Sequence, residues 1–347
     1  MAFDNLKLEK GIYQEAVKER KSFTQKLEEL DPTEQYKGTE HEGLDAYQRQ
    51  LKRFDIRTAG SSSDVVAKFY QTYESTLLFP EYIDRTIREG MEEGNILNDI
   101  VGTSSKIDAM QYTAIYADTI KDEDIELTDI AEGAEFPETE IKLRDQNTKF
   151  YKRGRLLKIS YEALKLMKID MFALHLRKLG VGIGKQQLRD ALYTLIYGDG
   201  NKNEAKVLTI GKAPIGGTAG KLTYAEIVKF YMEFKQEYDV NTALAPKDVL
   251  TTILLMEEFK DPQAGFNFQK TGKMVNPLGS KWLRADILED GTIIGLDKRF
   301  CLEEVTVANT MVEYDKIINR QIERAAVSEI KGFNKIYADS AKILKLK

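Results

Sequence analysis

Residues 129–200 decide the fold, and they read DIAEGAEFPETEIKLRDQNTKFYKRGRLLKISYEALKLMKIDMFALHLRKLGVGIGKQQLRDALYTLIYGDG. They begin inside an acidic stretch, because residues 118–145 hold 11 acidic and three basic side chains. Residues 149–158 then hold five basic side chains and no acidic one. Aromatic and apolar residues in this basic part favour a strand. The pattern predicts a long two-stranded arm with an acidic and a basic limb, whose opposite charges help the strands to pair.

The second half of this stretch predicts one long helix. Residues 161–197 read as helix almost throughout, and the 27 residues from Met171 onward would span about 40 Å. Gly180, Gly182 and Gly184 lie in the middle of the helix, where each glycine costs up to ~1 kcal/mol relative to alanine. We therefore predict a bend in the helix, or a close approach of another backbone, at these glycines.

The first 57 residues form a highly charged N-terminal segment with 12 acidic and 11 basic side chains. Apolar residues recur in it at spacings of three, four and seven, which predicts one amphipathic helix ended by Asp31-Pro32. A helix this polar cannot form a core alone, so it must dock on its own subunit or on a neighbouring one. The sequence leaves both alternatives open. The apolar stripe consists of Tyr13, Ala16, Phe23, Leu27 and Leu30.

Composition argues against several classes of protein. The 347 residues carry a formal net charge of -5, which is a poor match for a protein that grips nucleic acid through a basic surface. Cys301 is the only cysteine, so the chain has no internal disulfide, and we expect this residue to be a small buried hydrophobe in a strand. No run approaches the roughly 20 apolar residues of a membrane span, and the N-terminus lacks the apolar core of a signal peptide. We expect a soluble protein suited to a reducing cytoplasm.

No motif selects a catalytic, cofactor or metal site. Gly184-Lys185 and Gly220-Lys221 are each followed by a residue other than Ser or Thr, so neither pair belongs to a phosphate-binding loop. Asp122, Asp124 and Glu126 alternate, but they lack the glycine and the final glutamate of a calcium loop. The sequence therefore predicts no catalytic residue, no cofactor and no metal ligand, and we expect a protein that is not an enzyme.

Four strings, in this order along the chain, resemble the tailed-bacteriophage major capsid proteins. Phe79-Pro80-Glu81 is similar to the lead into their body, and residues 131–138 are similar to the A-E-G-A-x-x-P-E string on their E-loop. Residues 159–164 resemble the lead into their spine helix, and Tyr197-Gly198-Asp199-Gly200 resembles the string that ends it. The resemblance covers about residues 79–347 and leaves out the first 78.

This resemblance implies an α+β chain with the Hong Kong 97-type capsid fold. Such a fold has an N-terminal arm, an E-loop, a P-domain with a long spine helix, and an A-domain. The expected segments are the N-terminal arm with its amphipathic helix (1–78), the lead into the body (79–117), the E-loop (118–158), the P-domain with the spine helix (159–204), the A-domain (205–300), and the strands that return to the P-domain and A-domain (301–347).

The resemblance also implies that the E-loop makes contacts between subunits. Some family members join neighbouring subunits by a Lys–Asn bond, but Ala326 stands where their catalytic glutamate aligns, so we expect no cross-link here. The candidate residues for such a bond would be Lys142, Lys149, Lys152, Asn309, Asn319 and Asn334. The expected E-loop contact residues are Glu132, Glu135, Glu138, Lys149, Lys152, Arg153 and Arg155.

The function implied is that of a major capsid protein, which self-assembles into hexamers and pentamers that form an icosahedral head around double-stranded DNA. Expected partners are further copies of the chain, together with portal, scaffold or decoration proteins and weakly bound packaged DNA, but no membrane. The location implied is the virion, after assembly in the cytoplasm of a bacterial host. One alternative is the shell of an encapsulin-type protein compartment, which shares the fold but is usually shorter at its N-terminus. Another is a soluble nucleotide-dependent enzyme, against which the failed glycine motifs count.

Overall fold

The computed structural model describes residues 4, 6–19, 21–113, 115–116, 129–130, 142–143, 147–260 and 279–347. Glu132, Glu135 and Glu138, the acidic residues expected to contact a neighbouring subunit, lie outside the described residues. The basic residues expected to do so lie within them.

Helices and strands alternate irregularly along the described chain, in the α+β order that was expected. The helices are α1 (Gly11–Lys18), α2 (Phe23–Leu30), α3 (Ala46–Arg53), α4 (Tyr73–Thr76), α5 (Phe79–Glu92), α6 (Tyr161–Leu166), α7 (Ile169–Tyr197), α8 (Tyr224–Met232), α9 (Lys247–Leu254), α10 (Glu257–Lys260) and α11 (Lys298–Cys301). The strands are β1 (Val101–Lys106), β2 (Ile115–Tyr116), β3 (Lys142–Leu143), β4 (Tyr151–Ser160), β5 (Lys206–Thr209), β6 (Thr242–Ala245), β7 (Lys281–Arg284), β8 (Thr292–Leu296), β9 (Leu302–Ile317), β10 (Ile322–Lys335) and β11 (Ala341–Lys345).

The chain forms two units, of which the first comprises Met1–Asn95, Lys152–Gly184 and Asn309–Glu329. In this unit Ile83 and Ile87 of α5 are buried in one core with Phe172 and Leu176, which lie in the first half of α7. Both pairs are spaced four residues apart, so they form one face of each helix. Strand β10 lies between β9 and β4.

Glycines allow α5 and α7 to approach each other at the backbone. A Cβ built on Gly180 would overlap the carbonyl oxygen of Ile87 and lie 2.9 Å from the backbone nitrogen of Met91. A Cβ on Gly184 would lie 3.0 Å from the carbonyl oxygen of Met91. Gly182 is different, because a Cβ there would meet nothing within 4 Å. Close approach therefore accounts for two of the three glycines, and the bend in the helix stays a prediction.

The N-terminal segment forms two short helices, α1 and α2, so the prediction of one continuous helix is wrong. The physical reason is a capping box at Ser22: its Oγ accepts a hydrogen bond from the backbone N–H of Gln25 at 3.1 Å, and its own N–H donates to Gln25 Oε1 at 2.8 Å. This arrangement starts a new helix. Leu30, assigned to the apolar stripe, is 45% exposed, whereas Phe23 and Leu27 are buried.

These two helices pack on their own subunit in the single chain, and docking on a neighbouring subunit stays a prediction. The Tyr13 hydroxyl donates to the carbonyl oxygen of Leu77 at 2.8 Å. Arg85 of α5 donates to Asp45 Oδ2 and to Thr24 Oγ1, both at 2.7 Å. The polar segment is thus held by specific hydrogen bonds as well as by its few apolar side chains.

A buried ion pair organises the turn between α2 and α3. Arg49 donates from Nε to Asp31 Oδ2 at 2.7 Å, and neither side chain is more than 1% exposed. Arg49 also donates to the carbonyl oxygen of Leu44 at 2.6 Å, and the Tyr36 hydroxyl donates to Asp31 Oδ1 at 2.6 Å. The guanidinium lies 4.3 Å from the centre of the Tyr36 ring. The two buried charges are therefore well compensated, as such pairs must be.

The second unit comprises Ile96–Tyr151, Lys185–Ala308 and Ile330–Lys347. Its five-stranded sheet has the order β5-β11-β8-β6-β7. Strand β11 is parallel to β5 and antiparallel to β8, with Ile343 opposite Val207 and Ile294 respectively. Leu188 and Leu192, in the second half of α7, are buried in a core with Ile294 and Ile343. Helix α7 thus supplies core residues to each unit.

Cys301 is fully buried in the second unit, as expected, but it lies at the end of α11 and not in a strand. Burial raises the pKa of its thiol to about 12. A thiol with so high a pKa is protonated at neutral pH and is a poor nucleophile.

Candidate assembly surface

The basic limb of the predicted E-loop forms strand β4 and the residues just before it. Lys149, Lys152 and Arg155 are exposed, and Arg153 is half-buried. In the part of the chain that the structure describes, Lys149, Lys152 and Arg155 make no ion pair within 4.0 Å. These three side chains, expected to contact a neighbouring subunit, are therefore accessible on a single subunit.

Among the strands that the structure describes, β4 lies at an edge of its sheet, beside β10. One face of β4 packs on the protein, because Leu157 and Ile159 contact the core of the first unit. The backbone of β4 also lies close to that of β10, since a Cβ on Gly154 would lie 3.1 Å from the carbonyl oxygen of Val327. Leu156 points away from the core and is 45% exposed. An edge strand offers unpaired backbone groups to another chain, and its charges limit which chains can approach. The geometry suits a selective contact.

A hydrogen-bonded network in the second unit joins residues that lie on either side of the acidic stretch 118–145. Glu303 Oε1 accepts from the Tyr112 hydroxyl at 2.8 Å and from Ser105 Oγ at 2.7 Å, and Oε2 accepts from Asn334 Nδ2 at 3.2 Å. Thr148 Oγ1 donates to Asn334 Oδ1 at 2.8 Å. Tyr112 precedes the acidic stretch and Thr148 follows it, so this network, which we call the loop-base network, holds the two flanks of that stretch together.

Backbone and electrostatic evidence agree with this role. The backbone N–H of Thr148 donates to the carbonyl oxygen of Tyr112 at 2.8 Å. Burial, together with the hydrogen bond to Glu303, raises the pKa of Tyr112 above its ordinary value. Sequence reasoning missed the network, because Glu303 and Asn334 are far from the loop along the chain and no motif links them to it.

The network also bears on the asparagines that could enter a Lys–Asn bond. Asn334 is only 3% exposed, and both its amide oxygen and its amide nitrogen are hydrogen-bonded. Asn309 and Asn319 are exposed. Asn334 is therefore a structural residue in a single subunit, and the absence of a cross-link stays a prediction.

A second buried polar cluster lies in the first unit, at the turn between β9 and β10. The hydroxyls of Tyr70 and Tyr314 are 2.9 Å apart, and both donate to Glu323 Oε2. Lys316 Nζ lies 3.1 Å from Glu323 Oε1. Burial raises the pKa of the Glu323 carboxyl and lowers that of the Lys316 ammonium. The cluster ties the turn to Tyr70 and hence to the N-terminal part of the chain.

Metal binding and membrane insertion find no support in the described residues. No group of three or more His, Cys, Asp and Glu side chains there is arranged to hold a metal ion. None of the helices described is both long and apolar enough to cross a bilayer.

Comparison with known proteins gives a consistent result. A family model described as phage capsid protein matches residues 144–334. No curated protein sequence matches the chain. The capsid of a native GTA particle has 14% sequence identity and a TM-score of 0.54, covering 73% of this chain and 90% of its own. The capsid of an empty GTA particle has 15% identity and a TM-score of 0.50, covering 73% and 89%. A virus-like particle from Pyrococcus furiosus has 11% identity and a TM-score of 0.48, covering 77% and 99%.

Proposed function

This chain belongs to the phage capsid protein family, and from that premise we propose that it is the major shell subunit, assembling into hexamers and pentamers around double-stranded DNA. The family match spans more than half of the chain. The Hong Kong 97-type fold expected from the resemblance is confirmed by the likeness to the GTA capsids. The family match favours a phage capsid over the alternative of a compartment shell.

The observation that carries the proposal is the 29-residue helix α7, whose first half supplies buried residues to the core of the first unit and whose second half supplies them to a core of the second unit. A helix of this length is about 43 Å long and extends beyond what one small core can cover. A long helix that supplies core residues to both units suits a shell subunit, because such a subunit must contact several neighbours in a thin layer. The role is structural, and nothing in the described residues selects a catalytic group.

The contacts between subunits are proposed at the E-loop. Lys149, Lys152 and Arg155 would meet acidic side chains of a neighbour, with Arg153 adding a fourth cation. Glu132, Glu135 and Glu138 would act in the opposite direction, toward basic residues of another copy. Each exposed pair contributes only ~0–1 kcal/mol, but a closed shell repeats the contact at every subunit. The proposed segments are those expected from the resemblance, with the E-loop at 118–158 and the A-domain at 205–300.

Further partners follow from the same proposal. A shell subunit with a net charge of -5 should hold packaged DNA only by weak, non-specific contacts. Portal, scaffold or decoration proteins would complete the particle. Assembly would take place in the cytoplasm of a bacterial host, and the protein would end in the virion.

Expression of the chain in bacteria, followed by sedimentation and negative-stain electron microscopy, tests the proposal. We expect closed shells, or rings of five and six subunits that close when concentrated. Treatment of the particles with nuclease then distinguishes a phage capsid from a compartment shell. Protected DNA inside the particle indicates a capsid, and an enclosed enzyme indicates a protein compartment. A species that stays monomeric or forms one small oligomer at every salt and protein concentration would contradict the proposal.

A further inference from the structure

An open cleft of about 290 Å³ lies in the second unit, between the last turns of α7 and the strands β8 and β11. Its walls are mainly apolar and aromatic, although it opens directly to solvent. Neither the E-loop nor the loop-base network includes any of its residues. We call it the aromatic cleft, and its principal lining residues are Leu192, Tyr193, Ile196, Tyr197, Ile287 and Ile343.

Two tyrosines make the cleft unusual for a surface that stays in water. Tyr193 is 59% exposed and Tyr197 is 55% exposed, and their ring centroids are 4.9 Å apart. Both are exposed on α7, whereas Leu188 and Leu192 of the same helix are buried. Exposed aromatic side chains beside an apolar concavity are typical of the central residues of protein interfaces, since they bury a large area at low entropic cost.

The charges around the aromatic cleft favour an acidic partner. Lys185 and Arg189 precede Tyr193 by eight and four residues, so all three lie along one face of α7. In the described part of the chain, neither Lys185 nor Arg189 makes an ion pair within 4.0 Å. Glu289 also lines the cleft, but Lys345 lies 3.1 Å from it and neutralises it. The lining of the cleft therefore includes one cation without an acidic partner in the described residues, Arg189, and Lys185 lies one turn before it on the same face of α7.

Nucleic acid is a poorer occupant than protein. Phosphate recognition relies on clustered basic groups or backbone N–H groups, whereas this cleft is mainly apolar and has a carboxylate in its lining. A second copy of the chain fits better, because the chain is acidic overall, with a net charge of -5, and carries an excess of acidic residues beside apolar ones at 118–145. A shell also presents copies of the chain to one another at high local concentration.

We propose that the aromatic cleft is a contact site for a second copy of this chain, which inserts an apolar side chain flanked by acidic residues. The inference rests on the proposed function as a shell subunit and adds a surface to it. The contact is of the head-to-tail kind, in which one copy offers the cleft and the next offers a different surface, and such contacts close into rings.

Photo-crosslinking in the assembled particle tests this directly. The photoreactive residue p-benzoylphenylalanine, placed at position 193, keeps an aromatic ring in the cleft. The buried Cys301 and the rest of the chain are left unchanged. On irradiation of shells we expect covalent dimers, and mass spectrometry should find position 193 joined to an acidic segment of another copy. Irradiation of dilute, unassembled subunits should give no dimers.

Other outcomes of the crosslinking would overturn the inference. Shells that form normally but yield only monomer, bonds within one chain, or bonds to nucleic acid would show that the cleft is not a contact between copies. Failure of the unmodified chain to form any shell would instead count against the proposed function itself. The two failures are therefore distinguishable.

A charge reversal provides an independent measurement. Arg189→Glu and Lys212→Glu change the net charge equally, and Lys212 is an exposed residue of the same unit that does not line the cleft. We expect R189E to raise the protein concentration needed for assembly at least tenfold, and K212E to change it less than twofold. Circular dichroism and the unfolding midpoint confirm that both variants fold. Equal effects of the two substitutions would contradict the proposal.

Discussion

Replacing Gly180 by alanine should destabilise the first unit, while the same change at Gly182 should stabilise it. In a helix interior, alanine is favoured over glycine by about 0.8–1 kcal/mol, so both substitutions gain this amount locally. At position 182 nothing opposes the gain, because the added Cβ meets no atom within 4 Å. We expect G182A to raise the free energy of unfolding by about 1 kcal/mol.

At position 180 the new Cβ would overlap the carbonyl oxygen of Ile87 and crowd the backbone of Met91 and Gly90, at 2.9 and 3.0 Å. These are backbone atoms of α5, so no side-chain rotation relieves the overlap and the two helices must separate. Overpacking of this kind costs typically 1–3 kcal/mol and occasionally more, and separation also thins the core of Ile83, Ile87, Phe172 and Leu176. After subtraction of the helix-propensity gain, we expect G180A to lower the free energy of unfolding by about 2 kcal/mol.

Urea unfolding of unassembled subunits, followed by circular dichroism, measures both variants against the parent. The expected separation between them is about 3 kcal/mol, well beyond the error of a matched pair. Two substitutions of equal sign and size would refute the close approach of α5 and α7, because helix propensity alone would then decide the result. In that case packing against α5 would not explain why position 180 is glycine.

Three further predictions concern buried polar groups. Burial raises the pKa of the Asp84 carboxyl to about 6, so the folded state binds this proton more tightly than the unfolded state and stability falls as the pH rises from about 4 to 7. Asp84→Asn should remove this pH dependence and raise the free energy of unfolding at pH 8 by up to ~3 kcal/mol. Loss of the ion pair with Arg88 would reduce this gain. A variant less stable than the parent at pH 8 would contradict this reasoning. Arg49→Ala leaves a buried carboxylate without its partner and should cost about 3–5 kcal/mol in urea unfolding, whereas Arg57→Ala, at a 62% exposed side chain, should cost under about 0.5 kcal/mol; equal losses would show that the buried pair has no special role. Glu303→Ala leaves the donors of the loop-base network unpaired, at about 1–3 kcal/mol, and should speed amide hydrogen exchange at residue 148, so unchanged exchange there would argue against the network.

Three features could be predicted from the sequence: the long helix, its end at Gly198 and the family. Each of them depends on local periodicity or on short strings. The helix ends at Tyr197, and Gly198 adopts a φ of +75°, which glycine tolerates without strain. The family match supports the resemblance, and two of its four strings, at 159–164 and 197–200, lie within the matched residues 144–334. Local signals of this kind survive in a single sequence without any knowledge of the tertiary fold.

Other features depended on contacts between distant residues and could not be predicted. The apolar stripe of the N-terminal segment continues across Ser22 and so predicts one helix. The capping box at Ser22 instead starts a second helix there. The loop-base network joins Tyr112 to Glu303, and the buried pair of Asp31 and Arg49 looks in the sequence like two ordinary surface charges. Such pairings become visible only when the chain is folded, because their partners share no periodic spacing.

The central claim is that this chain is a shell subunit joined to its neighbours through charged E-loops. The most direct test is a reconstruction by electron cryo-microscopy of the assembled particle, at a resolution that shows side chains. We predict an icosahedral shell of hexamers and pentamers in which Lys149, Lys152 and Arg155 of each subunit lie within ion-pair distance of acidic side chains of a neighbour. Shells in which these basic residues face only solvent would contradict the proposed contact, and the absence of any closed particle would contradict the claim as a whole.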